Sequence, residues 1–304
     1  MSASGRPEIY LNSFNYRGYP FERALAKAKA YGYDGVELFA GHYKIESVEE
    51  TLAAAQRRAL ALGITIPVLN LSGNVIGDDA GERASRVARL SEIVRRAPDL
   101  GVRIINGYAG SIILDRDDWA KNGSAAATEE HYTRAADAYQ QVGAVAAQAG
   151  VLLTLEVHMN TIHDTAASAA VLLDRIASPA VRANFDPGNM YGTRSAEPAL
   201  EAIQILGERI AYVHVKNARR VSYLPVGVDY HFDLASGDLD YFAIIRAVHQ
   251  GGFRGPYSIE YSGAGDRSVP SRDDVRYLRA LLEEAVGQEP PEPGRVRVAH
   301  EEPV

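Results

Sequence analysis

Four residues able to act together, Glu156, Asp186, His214 and Glu260, each interrupt a short apolar run in this 304-residue chain. The runs are VLLTLEVH, VRANFD, IAYVHVK and PYSIEY, rich in the β-branched and aromatic residues of buried strands. Burying one carboxylate without a partner is costly, and three on successive strands compound the cost. A divalent cation resolves the conflict, because three carboxylates and an imidazole offer hard oxygen ligands and one nitrogen. The oxygen majority favours Mn2+ or Mg2+, Mn2+ first, with Co2+ and Zn2+ also compatible. Taken singly, such a Glu would as readily be an ion-pair partner and such a His a core residue; four in sequence point to one metal ion.

Neighbouring polar residues extend the set. His158 lies two residues after Glu156 and Lys216 two after His214, so strand alternation turns each to the same side as its neighbour. Either could touch a substrate oxygen, and His158 could equally pack at a strand end. Glu37, in GVELF, reads as one member of a buried structural ion pair. Tyr16, Tyr108 and Trp119 offer flat faces suited to a sugar ring or to ordinary packing.

The elements that must position these groups follow one pattern. Four more strand-like runs precede the four above: Glu8–Phe14, Gly35–Phe39, Ile64–Asn70 and Arg103–Tyr108. Between runs lie Ala-rich segments with helical spacing, three of them ending in Gly32, Gly63 or Gly150 just before the next strand, as a C-cap does. Eight strands alternating with eight helices predict an α/β fold, a single (β/α)8 TIM barrel over residues 1–287, whose active site forms at the C-terminal strand ends. An open doubly wound sheet usually offers a glycine-rich phosphate loop after its first strand, and SFNYRGYP is not one. The stretch Asn217–Gly237 is longer than a usual connection and reads as a functional loop. Residues 288–304, rich in Pro and charge, read as a poorly packed tail or a partner-clasping arm.

Composition narrows the chemistry. There is no cysteine, which excludes disulfides, thiolate nucleophiles and Cys-ligated metals. The net charge of −7 argues against a nucleic-acid partner. No apolar run of membrane-spanning length and no signal-peptide pattern is visible, so no membrane partner is expected and the cytoplasm is the default location.

The segments YGYDGVELF, LEVHMNTIHDT, NFDPGN, YVHVKNAR and YSIEYSG occur in an order that resembles the xylose-isomerase-like superfamily of sugar isomerases, epimerases and AP endonucleases, up to Ala285. The resemblance implies that Glu156, Asp186, His214 and Glu260 bind the metal. It also implies that Glu156 and Glu260 act as acid and base on opposite faces of a sugar, at the carbon beside a metal-polarised carbonyl. Ketose 3-epimerases of the superfamily grip substrate through an Arg that falls on Arg220, and through a His whose place is taken here by Asn189. The endonuclease branch uses an Asp-x-His that matches Asp229 and His231, but its other zinc-binding His residues are missing from VLNLSGN, INGYAGS and NFDPGN. Three zinc ions could not be held, so His231 is assigned to substrate or to loop structure.

These readings imply a divalent-metal-dependent isomerase or epimerase of a sugar, keto-sugar or cyclitol. The alternative is a lyase on the same scaffold: a dehydratase, or an enzyme cleaving a C-glycosidic bond of a 3-keto-glycoside. A sugar-binding protein without catalysis is a third reading, and the intact Glu156 and Glu260 pair argues against it. A carbohydrate substrate is the expected small-molecule partner, with a homo-oligomer or a small second subunit compatible with the long stretch after His214.

Overall fold

The computed structural model describes residues 6–71, 73–193, 195–263 and 265–287. Seven strands come first: β1 (Ile9–Asn12), β2 (Gly35–Leu38), β3 (Val68–Asn70), β4 (Ile104–Gly107), β5 (Leu152–Glu156), β6 (Val181–Phe185) and β7 (Ile210–Val215). A hairpin of β8 (Asn217–Arg220) and β9 (Val228–Phe232) follows, and β10 (Tyr257–Ile259) is last. β1 to β7 and β10 form a closed parallel barrel, β10 joining β7 to β1. The helices are α1 (Phe21–Tyr31), α2 (Val48–Ala61), α3 (Ala80–Arg96), α4 (Glu129–Ala149), α5 (Ala166–Ile176), α6 (Pro187–Gly192), α7 (Ala199–Leu206), α8 (Tyr241–Gln250) and α9 (Ser268–Gly287). One helix other than the short α6 thus connects each strand to the next, as the alternating pattern predicts. Among the described residues, no helix is long and apolar enough to cross a membrane.

Burial splits into two parts that decide where chemistry can sit. The main core lies between strands and helices, where outward side chains such as Val36, Leu38, Leu153, Val213 and Ile259 meet Leu25, Leu52, Leu172 and Leu278. A small plug of Tyr10, Val68, Ile104 and Tyr212 fills the barrel interior. Above the plug the bore is polar: Asn12, Glu37, Asn70, Asn106, Glu156, Asn184 and His214 are all almost fully buried. Parallel register levels these residues, pairing Asn12 with Glu37, Glu156 with Asn184 and His214 with Ser258.

Two expectations change. The third run, read as Ile64–Asn70, becomes a strand only at Val68, because Pro67 has no N–H for the ladder. Ile66 is instead held by the Gln56 side chain, whose amide donates to its carbonyl over 2.8 Å. The long loop Asn217–Gly237 is largely an antiparallel hairpin, Asn217 opposite Phe232 and Arg220 opposite Val228. Its base is fastened by Asn217, whose side chain donates to Leu234 O (2.7 Å) and accepts from Leu239 N (3.0 Å). A side chain on Gly237 would collide with that Asn217, at 2.0 Å. The tail from residue 288 lies outside the described residues.

Candidate active site

At the C-terminal mouth, one donor atom each from Glu156, Asp186, His214 and Glu260 lies within 4.8 Å of the other three. Glu156 ends β5, Asp186 follows β6, His214 lies in β7 and Glu260 follows β10. Three of them are almost fully buried. His214 Nδ1 has no hydrogen-bond partner and faces Glu156 Oε2 at 3.5 Å, Glu260 Oε2 at 3.7 Å and Asp186 Oδ2 at 3.8 Å. An unpartnered buried nitrogen before three carboxylates is a geometry that fits a cation.

Local sequence explains how each group is held. Asp186 is the N-cap of α6: its Oδ1 accepts from Asn189 N over 2.9 Å, satisfying one of the helix's orphan donors. Asn189 also donates through Nδ2 to Asp186 Oδ2 (2.7 Å) and Glu156 Oε1 (2.8 Å), so it ties two of the four residues together. Between them, Gly188 is required, since a Cβ there would lie 2.5 Å from Lys216 Cγ. The Lys216 ammonium reaches Glu260 Oε1 at 2.8 Å and Asp186 Oδ2 at 3.1 Å. Asn106 Nδ2 donates to Glu156 Oε2 (2.9 Å), and Asn12 Nδ2 approaches Glu260 Oε2 at 3.4 Å.

Electrostatics separate the carboxylates. Burial would raise Glu156, but the adjacent His214 charge outweighs it and holds the carboxyl below its usual range. Asp186 goes the other way: burial pushes it up to about 7, although Lys216 opposes the rise. Burial works against the charged forms of His214 and Lys216, yet Glu37 and Glu156 keep the former, and Asp186 and Glu260 the latter, well above their ordinary values. Four buried or part-buried carboxylates, Glu37 included, thus face two groups able to carry positive charge, an excess of negative charge that a divalent ion would reduce.

The remaining sequence candidates fall in different places. Lys216 and Asn189 join the cluster. His158 sits just past β5, its Nδ1 2.9 Å from Met159 O and its ring centroid 4.8 Å from that of Tyr108, forming one wall of the mouth. Arg220 is exposed, its guanidinium 4.6 Å from the centre of the Tyr191 ring. His231 is 60% exposed, its Nδ1 lies 3.1 Å from Asp229 Oδ1, and it is not among the four clustered residues. Tyr16 is fully buried in the core, which removes it from the sugar-stacking candidates. Glu37 pairs with His214, as the ion-pair reading expects.

Sequence reasoning passed over Asn12, Asn70 and Asn106, and took Tyr230 only as one of several sugar-compatible residues of the loop 217–237. The three asparagines interrupt the apolar runs EIYLNSF, ITIPVLN and RIINGY just as the carboxylates do, so the signal was present. For Tyr230 the sequence marks the loop and not the burial of the side chain. Its hydroxyl is buried without a partner, in a space left by Gly192, where a Cβ would lie 1.9 Å from that oxygen.

Residues 25–281 match the model of the xylose isomerase-like TIM barrel family. The chain belongs to that family. A 27% identical relative is the L-ribulose 3-epimerase of Mesorhizobium japonicum (strain LMG 29417 / CECT 9101 / MAFF 303099), aligned over 79% of this chain and 74% of that protein. The 3-dehydroshikimate dehydratase of Bacillus anthracis is 23% identical over 70% of this chain and 72% of its own length. Among solved structures, a xylose isomerase-like TIM barrel protein from Mycobacterium smegmatis in complex with magnesium superimposes with a TM-score of 0.72 at 19% identity, covering 94% of this chain and all of that one. The curated relatives are epimerases and dehydratases, and this chain is a member of an enzyme family.

Proposed function

We propose that the protein is a divalent-metal-dependent isomerase or epimerase of a sugar, keto-sugar or cyclitol, with Glu156, Asp186, His214 and Glu260 as metal ligands. The observation that carries this reading is the convergence of Glu156 and Glu260 on the His214 Nδ1 side from strands separated in the barrel by β6 and β7. Two carboxylates approaching from either side can each hold or release a proton at one carbon held between them. When bound, the cation supplies Lewis acidity, polarising a carbonyl and offsetting negative charge that develops on its oxygen. Mn2+ suits the oxygen-rich ligand set best, and the magnesium complex of a structural neighbour keeps Mg2+ beside it.

The other residues position and shield. Lys216 presents a donor at the cluster and Asn189 Oδ1, buried without a partner, an acceptor, where they would orient substrate hydroxyls. The Tyr108 and His158 rings exclude water from one side. On this reading the carbohydrate lies under the hairpin, with Arg220 and His231 at its outer edge. Arg220→Ala then raises the KM severalfold while calorimetric metal affinity stays unchanged, and an unchanged KM would remove Arg220 from the binding surface.

A dehydratase is the second reading, favoured by Lys216: its ammonium, 2.8 Å from Glu260 Oε1, places a proton donor for a departing hydroxyl beside a base. Turnover of ketoses, inososes and 3-keto-glycosides by the metal-loaded enzyme in deuterated water tests both. Solvent deuterium in a product of otherwise unchanged formula supports epimerisation or isomerisation. Loss of water supports the dehydratase. No turnover with any of these substrates under Mn2+ or Mg2+ would count against the substrate class.

A further inference from the structure

Glu37 sits at the centre of β2, between Val36 and Leu38, which turn outward into the main core while it turns into the bore. It is fully buried and is not one of the four clustered residues. Both of its oxygens are taken. Oε2 accepts from Tyr212 OH at 2.7 Å and contacts His214 Nε2 at 2.9 Å. Oε1 faces the amides of Asn106 at 3.3 Å and Asn70 at 3.4 Å.

A carboxylate only accepts, so the His214 nitrogen beside it must carry the hydrogen. In neutral imidazole this leaves the lone pair on Nδ1, the atom that faces Glu156, Asp186 and Glu260. The ring is thereby fixed in rotation and in tautomer from the side opposite the cluster. Asn106 extends the same network to Glu156, whose Oε2 it contacts at 2.9 Å, and its own carbonyl is held by Thr154 and Asn184.

Resting on the metal-centre reading above, we propose that Glu37 is a positioning residue that sets the His214 tautomer and thereby the affinity of the site for its divalent ion. A brace that merely filled the bore would tolerate a near-isosteric amide. Gln cannot take its place here: its NH2 group must face either the donors on Tyr212 and His214 or those on Asn70 and Asn106. One donor pair is then opposed: with the NH2 toward Tyr212 and His214 the signal that fixes the His214 tautomer is lost, and with it toward Asn70 and Asn106 the acceptor before His214 is uncharged and weaker. Outer partners of a metal-bound imidazole characteristically matter by 10- to 100-fold in affinity.

The test is calorimetric titration of the metal-free full-length protein with MnCl2, beside its melting temperature, for the native chain, Glu37→Gln and Tyr212→Phe. Tyr212→Phe removes a donor to the same carboxylate oxygen without touching His214. The expected result is a loss of about 10- to 100-fold in Mn2+ affinity for Glu37→Gln, against less than threefold for Tyr212→Phe. Native-like affinity in Glu37→Gln, or equal losses in both variants, would overturn the assignment and leave Glu37 a structural brace. If Glu37→Gln does not fold, Glu37→Asp serves: it keeps the charge but shortens the reach, so affinity must fall while the melting temperature holds. A native protein that takes up no Mn2+ would overturn the metal centre itself, a result distinct from either of these.

Discussion

Strands β1–β4 and strands β5–β7 with β10 end at the same rim and contribute different groups to it. The first half supplies amides, Asn12, Asn70 and Asn106, with Glu37 as its one buried carboxylate. The second half supplies Glu156, Asp186, His214, Lys216 and Glu260. Contacts run between the halves from donor to acceptor: Asn106 to Glu156 and Asn12 to Glu260 where the halves adjoin, and His214 across the bore to Glu37. One half carries most of the groups that change charge, and the other holds them in place through neutral amides and one carboxylate, Glu37. Buried charges cost least when oriented dipoles already face them.

Removing a member of the charged half should have the largest effect. Asp186→Ala and His214→Ala are each expected to abolish metal uptake, read by elemental analysis of dialysed protein, and turnover with it. Stoichiometric metal in either variant would move the metal site elsewhere. Glu156→Gln and Glu260→Gln come next. Gln keeps the shape but cannot exchange a proton, so turnover should fall by at least the ~10²–10⁴-fold typical of acid–base catalysis, with the circular dichroism spectrum unchanged. Most of the activity surviving in one of them would reduce that residue to a ligand.

The amide half should respond more mildly. Asn106→Ala leaves Glu156 and Glu37 each short of a donor, and the expectation is a drop of about tenfold in metal affinity or turnover with about 1–3 kcal/mol lost in denaturant unfolding. A loss as deep as that of Glu156→Gln would erase the distinction between the halves. The smallest effect is expected away from the mouth. Asp274 in α9 accepts from Leu234 N at 2.8 Å but pairs with no cation among the described residues, and burial pushes its carboxyl up to about 7. Its folded value exceeds the unfolded one, so it disfavours the fold progressively as pH rises from about 4 toward 7, and the penalty is constant above that. Asp274→Asn should therefore be more stable than the native protein at pH 8 and gain nothing at pH 4, by thermal melts across that range. A difference that does not change with pH would show that the carboxyl ionises freely in the fold.

Much of the barrel could be read from the chain because its signals are local. Buried parallel strands are short apolar runs, and Gly32 and Gly150 close helices with positive φ, which any such turn favours. The cluster of Glu156, Asp186, His214 and Glu260 was legible for the same reason, each charged residue breaking an apolar run. The hairpin β8–β9 was not, because Arg219, Arg220, Asp229 and His231 give it the composition of a loop, and its pairing depends on Asn217 meeting residues 17 and 22 positions away. The buried placement of Tyr230 was hidden likewise, since the space for its hydroxyl is made by a glycine in α6. Arg220 and His231 were singled out from motif position, which says nothing about the direction an exposed side chain takes.

The barrel closes between β1 and β10, where Ile9 pairs with Tyr257, and Asn12 meets Glu260 across 248 positions of sequence. That seam joins the first strand made to the last. During synthesis the chain emerges from its N-terminus, so the rim stays open until β10 is available. Three of the four clustered residues precede the final strand, and the fourth arrives with the segment that shuts the ring. Completion of the site and completion of the barrel are thus one event, and an unfinished chain has no assembled centre.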